Sequence, residues 1–187
     1  MAKLEMDPPF RHVRGRIGGL VYRRNRSGTA IAEARRADAP LKEGEAAVRA
    51  AFTAAAAYAK AAIADPVQGP RYIAAAELVG QRPYTFAVTD FLKEPVVQAI
   101  DTTGYRGVIG DAIKVRAVDD FEVTGVNVAL SDGANAILKQ GAAVLVDGLW
   151  HYAATTAIAV GTAVFIEAVA TDRPGRTGSL QVPLVVA

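Results

Sequence analysis

Two periodicities divide the chain. Between residues 46 and 92 apolar side chains recur at helical spacing. From Val97 onward they alternate with polar ones, the period of a strand with one buried face. Ile113, Val115 and Ala117 alternate with Lys114, Arg116 and Val118, and Val126, Val128 and Leu130 alternate with Asn127 and Ala129. Trp150 and Tyr152 flank His151, Phe165 opens a run to Ala170, and a last strand from Leu180 to Val186 carries Pro183, which suits an edge. Turn-formers separate the runs at Gly104, Gly107 and Gly110, Asp119-Asp120, Ser131-Asp132-Gly133, Asp147-Gly148 and Asp172-Arg173-Pro174-Gly175. About seven strands at this spacing predict an all-β sandwich. Same-face neighbours meet the opposite sheet, which puts Val115, Val126, Val128, Trp150, Tyr152 and Phe165 in its core.

The helical stretch starts at Asp38-Ala39-Pro40, a capping carboxylate with proline in the first turn, and stops at Asp65-Pro66. Its apolar stripe is Val48, Phe52, Ala55, Ala59 and Ile63, with Val48, Phe52, Ala59 and Ile63 expected to make the helix packing. Twelve of the 19 residues from 46 to 64 are alanine, which favours the helix locally and permits close approach of another backbone. Pro70–Val79, ended by Gly80, predicts a second helix. Pro83–Leu92 predicts a third, with Tyr84, Val88 and Phe91 on one face. Upstream, residues 11–36 read as a basic hairpin, with Leu20-Val21-Tyr22 and Thr29-Ala30-Ile31 as strands around a turn that holds Asn25 and Gly28. The expected fold class is therefore α+β in two parts. Residues 1–94 form a basic hairpin with three helices, and residues 95–187 form the sandwich.

The run Ile113-Lys114-Val115-Arg116-Ala117-Val118-Asp119-Asp120, followed by Val123, Val126 and Val128, resembles two successive strands of bacterial immunoglobulin-like repeats. Ala168-Val169-Ala170-Thr171-Asp172-Arg173-Pro174-Gly175-Arg176 is similar to the A-T-D-x-x-G-N ending of their penultimate strand, departing at Arg176, where that family often has asparagine. The resemblance implies an Ig-like sandwich and leaves function open, because such modules serve as spacers, adhesins and virion decorations alike. In the first half, Gly15-Arg16-Ile17-Gly18 with Leu20-Val21-Tyr22, Tyr58-Ala59-Lys60-Ala61-Ala62, Arg82-Pro83-Tyr84 and Asp90-Phe91 are similar to short uncharacterised bacterial or phage-borne proteins.

Composition narrows the chemistry. Of 187 residues, 51% are apolar and 21% charged, which suits a folded core. Cysteine is absent, so disulfides, thiol nucleophiles and cysteine-ligated metals are excluded. The N-terminal Met1-Ala2-Lys3-Leu4-Glu5-Met6 lacks the apolar run of a secretory signal, and no segment reads as a membrane span. Cytoplasmic synthesis is the expectation. Charge is uneven: residues 1–100 carry 15 Lys and Arg against 10 Asp and Glu, and residues 101–187 carry 6 against 9.

Arg14, Arg16, Arg23, Arg24, Arg26, Arg35 and Arg36 form the strongest local charge signal. Arginine forks suit phosphate, so this cluster is a candidate contact with nucleic acid, or with the acidic loops of a neighbouring subunit. Gly15-Arg16-Ile17-Gly18-Gly19 lacks the Lys-Ser/Thr of a phosphate-binding loop and the strand–helix context of a dinucleotide fingerprint, so its glycines read as a bend. Asp119, Asp120, Glu122, Asp132 and Asp172 sit at expected strand ends and are candidate calcium ligands, without EF-hand spacing. His12 and His151, the two histidines, have no nucleophile elbow beside them at Ser27, Ser131 or Ser179. Leu180, Val182, Leu184 and Val186 form a terminal strand that could add to a neighbour's sheet.

The expectation is a non-enzymatic structural protein that assembles with its own copies, of the kind that builds filaments or virions, with no cofactor and no small-molecule substrate. The undersized core of the helical part motivates it. Nucleic-acid binding through the arginines and an adhesin-like role for the sandwich loops are the alternatives.

Overall fold

A computed structural model of the protein describes residues 3–4, 14–25, 28–34, 44–134 and 136–187. Two compact units emerge, Met1–Ala46 and Ala47–Ala187. The sequence suggested a boundary after Glu94. The helices instead group with the strands that follow them, because their aromatic residues pack on a sandwich turn.

The first unit holds one antiparallel sheet. Strands β1 (Lys3–Leu4), β2 (Gly15–Ile17), β3 (Leu20–Asn25) and β4 (Gly28–Glu33) lie in the order β1-β4-β3-β2. The predicted hairpin is β3–β4, and β1 and β2 extend it. Gly18, with a φ of 57°, makes the β2–β3 turn in the left-handed region that a side chain resists. A two-stranded ribbon is marginal in water, and the added strands supply backbone partners on both edges.

Helices α1 (Glu45–Ala64), all but its first two residues, α2 (Gln68–Leu78) and α3 (Pro83–Leu92) open the second unit. Helix α1 starts at Glu45, after Gly44 with a φ of 79°, and not at the expected Asp38-Ala39-Pro40, which lies outside the described residues. Pro83 occupies the first turn of α3, where its missing N–H has no helical partner to lose. After the helices come β5 (Val96–Asp101), β6 (Ala112–Val118), β7 (Val123–Ser131), β8 (Ile137–Ala142), β9 (Val144–Val146), β10 (Leu149–Ala153), β11 (Ala163–Asp172) and β12 (Thr177–Val185). They form two antiparallel sheets, β5-β6-β10-β9 and β12-β11-β7-β8. Ile113, Val115, Trp150 and Tyr152 from the first sheet and Val126, Val128, Leu130, Val164 and Ile166 from the second close on one core. The protein is thus α+β with a β-sandwich, and the sandwich has eight strands where about seven were expected.

Register decides which side of each strand is buried. Val115, Val126, Val128, Trp150 and Tyr152 are core residues, as their alternation predicted. Phe165 is not. In β11 the buried set is Val164, Ile166, Ala168, Ala170 and Asp172, so Phe165 stands on the opposite face. The run is apolar on both sides, and alternation alone does not say which side faces in. In β12, Leu180, Val182 and Leu184 pack against the core, and Val186, just past the strand, is buried within it. Strand β12 pairs with β11 of its own chain from Thr177 to Val185, so it completes its own sheet rather than standing free for a neighbour.

Candidate functional site at the helix–sandwich junction

The β6–β7 turn builds the junction. Asp119 Oδ2 accepts hydrogen bonds from the backbone N–H of Phe121 (3.2 Å) and of Glu122 (3.1 Å), an aspartate-stabilised turn. Phe121 stacks on Tyr72 of α2 with ring centroids 4.2 Å apart and 23° between planes. It also meets Phe86 of α3 edge-on at 6.0 Å. The guanidinium of Arg71 covers its ring at 5.6 Å. Tyr58 of α1 completes the cluster, 5.2 Å from Phe91. The small helical core therefore has an aromatic centre, one ring of which the sandwich supplies.

A polar chain runs through this apolar cluster. The hydroxyls of Tyr58 and Tyr72 are 2.7 Å apart, and the Tyr72 hydroxyl donates to Asp90 Oδ2 at 2.6 Å. Asp90 is fully buried, and burial pushes its pKa up to about 6. The carboxyl of Asp119 lies within hydrogen-bonding reach of Asp90, and Asp172 adds a third carboxyl nearby. Burial also raises the pKa of Asp172 and of both tyrosine hydroxyls. Asp172 Oδ1 accepts from the Arg176 backbone N–H at 2.6 Å. Asp90 Oδ1 and Asp172 Oδ2 are buried and have no hydrogen-bond partner.

Ion pairs ring the cluster and cross from helices to sandwich. Arg71 of α2 pairs with Glu122 at 3.0 Å, and Lys93, just past α3, pairs with Asp120 at 2.6 Å. Arg173 donates to the same Glu122 through Nε at 2.9 Å. Burial alone would raise the Glu122 pKa, and these two arginines bring it below the usual carboxylate value. Arg176 reaches back to the helices, donating to the Phe91 carbonyl at 3.2 Å and to Glu94 Oε1 at 2.6 Å. The long, charged side chain of Arg176 thus ties the end of α3 to the β11–β12 turn.

Of the candidate calcium ligands, Asp119, Asp120, Glu122 and Asp172 come together at this end of the sandwich. Asp132 does not join them; its Oδ1 caps the β7–β8 turn through the N–H groups of Ala134 and Ala136. Among the described residues no group of three or more His, Asp or Glu is arranged to hold a metal ion. In α1 the buried residues are Ala55, Ala59 and Ala62. Ile63 is half-buried, whereas Val48 and Phe52 are 67% and 56% exposed, so those two do not pack as the stripe predicted. Arg14, Arg16 and Arg23 are exposed on the first-unit sheet; Arg26, Arg35, Arg36 and His12 lie outside the described residues, as does the side chain of Arg24. His151 is half-buried in β10. No helix among the described residues is long and apolar enough to cross a membrane.

The pattern did not single out Tyr58, Tyr72, Asp90 or Phe121 as one cluster. A signal existed in α3, where a carboxylate sits among Phe86, Val88 and Phe91.

No family model and no curated protein matches the sequence. Among solved structures, CopC from Methylosinus trichosporium OB3b is similar over 49% of this chain and 92% of its own, with 14% identity and a TM-score of 0.37. An engineered protein matches at 22% identity and a TM-score of 0.36. A tetra-tandem repeat in the extending region of a large adhesion protein matches at 23% identity and a TM-score of 0.33. This chain spans only 20% and 24% of those last two chains.

Proposed function

We propose that the chain is a non-enzymatic structural protein whose sandwich is an Ig-like module that packs laterally against copies of itself. In favour of the Ig-like assignment, the two strand orders correspond to the A-B-E-D and G-F-C-C′ sheets of that architecture. One observation carries the lateral packing. Strands β8 and β9 each form one edge of a sheet, the edges opposite β12 and β5, and are joined through Ala143; they leave Ile137, Leu138, Val144, Leu145 and Val146 exposed. Edge strands usually carry charge or proline that prevents pairing with another chain; here Lys139 is the one charged residue across both strands. A run of exposed apolar side chains on an outer strand suits an interface between subunits. The carboxylates of the junction support a structural role too, because they accept from backbone N–H groups, pair with cations or are sealed from water.

The test is light scattering across a concentration series on the wild type and on Val144→Lys/Leu145→Lys. Association that the double variant abolishes while keeping its fold supports the reading; a wild type monomeric throughout removes it.

Nucleic-acid contact is the second reading. The register β2–β3 pairs Arg16 with Val21, which puts Arg16 and Arg23 on one face of the first-unit sheet, both exposed. Phosphate contacts would make binding fall steeply with salt. DNA or RNA affinity unchanged by Arg16→Ala/Arg23→Ala would remove it.

A further inference from the structure

Asp90 is an acid in a place that supplies no cation. It is completely buried on α3, and its Oδ2 already accepts from the Tyr72 hydroxyl. Its Oδ1 has no donor, although the Asp119 carboxyl lies within hydrogen-bonding reach. Two facing carboxylates without a proton between them would be mutually repulsive and leave a buried oxygen unsatisfied.

The groups that face the site come from every element packed on it. Helix α1 contributes Tyr58, and α2 contributes Tyr72 and Arg71. The β6–β7 turn contributes Asp119, Asp120 and Glu122, and the β11–β12 turn contributes Asp172, Arg173 and Arg176. Lys93 and Glu94 follow α3 itself. Each of the four cations has another acceptor. Arg71 and Arg173 bind Glu122, Lys93 binds Asp120, and Arg176 binds Glu94 and the Phe91 carbonyl. The charges whose influence Asp90 feels most are the carboxylates of Asp119 and Asp172.

We infer that docking of the helices favours a proton on Asp90, which in mildly acidic medium donates from Oδ1 to the Asp119 carboxylate, so that the helix–sandwich junction is a proton-binding site that tightens as the medium acidifies. The protonated acid fills the one gap in the polar chain, from Tyr58 through Tyr72 and Asp90 to Asp119. When the proton leaves, three carboxyl groups face each other inside an apolar cluster, and the nearest relief is to part the helices from the β6–β7 turn.

The sign follows from an acid whose folded pKa is raised, from 3.8 to about 6. Its contribution is fully present below the unfolded value and is lost as pH rises through the folded one. The folding equilibrium of the wild type should therefore weaken by about tenfold between about pH 5 and about pH 8 from this group alone.

The experiment compares the full chain with Asp90→Asn in denaturant titrations at those two pH values. An asparagine can donate to Asp119 and accept from Tyr72 at any pH. The variant should lack the tenfold change and exceed the wild type in stability at the higher pH. In parallel, carboxyl-carbon NMR of the wild type should show one aspartate titrating near pH 6 that the variant lacks. This readout stands even if the variant folds poorly. Equal pH slopes in the two proteins, or no aspartate titrating above the ordinary range, would overturn the inference. So would stabilisation of the wild type alone by added calcium at the higher pH, because the cluster would then be holding a cation instead of a proton.

Discussion

Tyr72 and Phe121 stack face to face, 4.2 Å between ring centroids, across 49 residues of chain. One ring belongs to the second helix and the other to a turn of the sandwich. Aromatic pairs of this kind are worth about 1 kcal/mol beyond the area they bury. Around the stack lie the rings of Phe86 and Tyr58, and beyond them the pairs Arg71–Glu122 and Lys93–Asp120. An apolar centre with a charged rim is the anatomy of a stable interface, here formed within one chain.

Removing the sandwich's ring should loosen the helices selectively. Phe121→Ala is expected to cost about 3 kcal/mol, the lower range for a large aromatic in a packed site. Hydrogen exchange is the measurement: amides of α2 and α3 should lose protection while those of β7 and β11 keep it. Equal loss in both would mean that the helices do not open separately.

The two junction tyrosines differ in what their hydroxyls hold. Tyr72→Phe takes the donor from a buried carboxyl and should destabilise by about 2 kcal/mol. Tyr58→Phe leaves Asp90 its partner and should cost less, about 1 kcal/mol. Chemical denaturation of both variants at one pH tests the order.

Arg176→Asn introduces the residue common in the Ig-like repeats that this turn resembles. It also removes the donor to the Phe91 carbonyl and the pair with Glu94. The pair is partly exposed, so the loss should be about 1 kcal/mol, measured by the same titrations, and salt should reduce the difference between variant and wild type.

Gly178 marks the closest approach of β12 to the chain leading into β5. A Cβ there would overlap the Pro95 carbonyl oxygen, which belongs to the backbone and cannot swing aside. Gly178→Ala should lower the melting temperature well beyond Gly133→Ala, whose Cβ would meet nothing within 4 Å. Similar melting temperatures for the two variants would contradict this account of the edge.

Several strands and the third helix were legible in the sequence because each has one strong local signal, whereas β8 and β9 were not named as strands. Alternation from Ile113 to Ala117 and from Val126 to Leu130 fixed both strands and their buried faces, and Pro83 marked the start of α3 at the residue where it begins. Phe165 was misplaced because Val164–Val169 is apolar on both faces apart from Glu167. Val48 and Phe52 obey helical spacing, but the buried residues of α1 are Ala55, Ala59 and Ala62, and spacing cannot say which stretch of a helix its partner covers. The junction was out of sight for a different reason. Tyr58, Tyr72, Asp90, Phe121 and Arg176 are brought together by four contacts between elements, and none of those distances is written in local pattern.

The most direct test of the structural account is analytical ultracentrifugation of the purified chain over a concentration and salt series, with electron microscopy of the same samples. The account predicts association that grows with concentration, yields defined filaments or particles, and is lost in Val144→Lys/Leu145→Lys while the variant stays folded. A monomer at every concentration and salt, in wild type and variant alike, would contradict it.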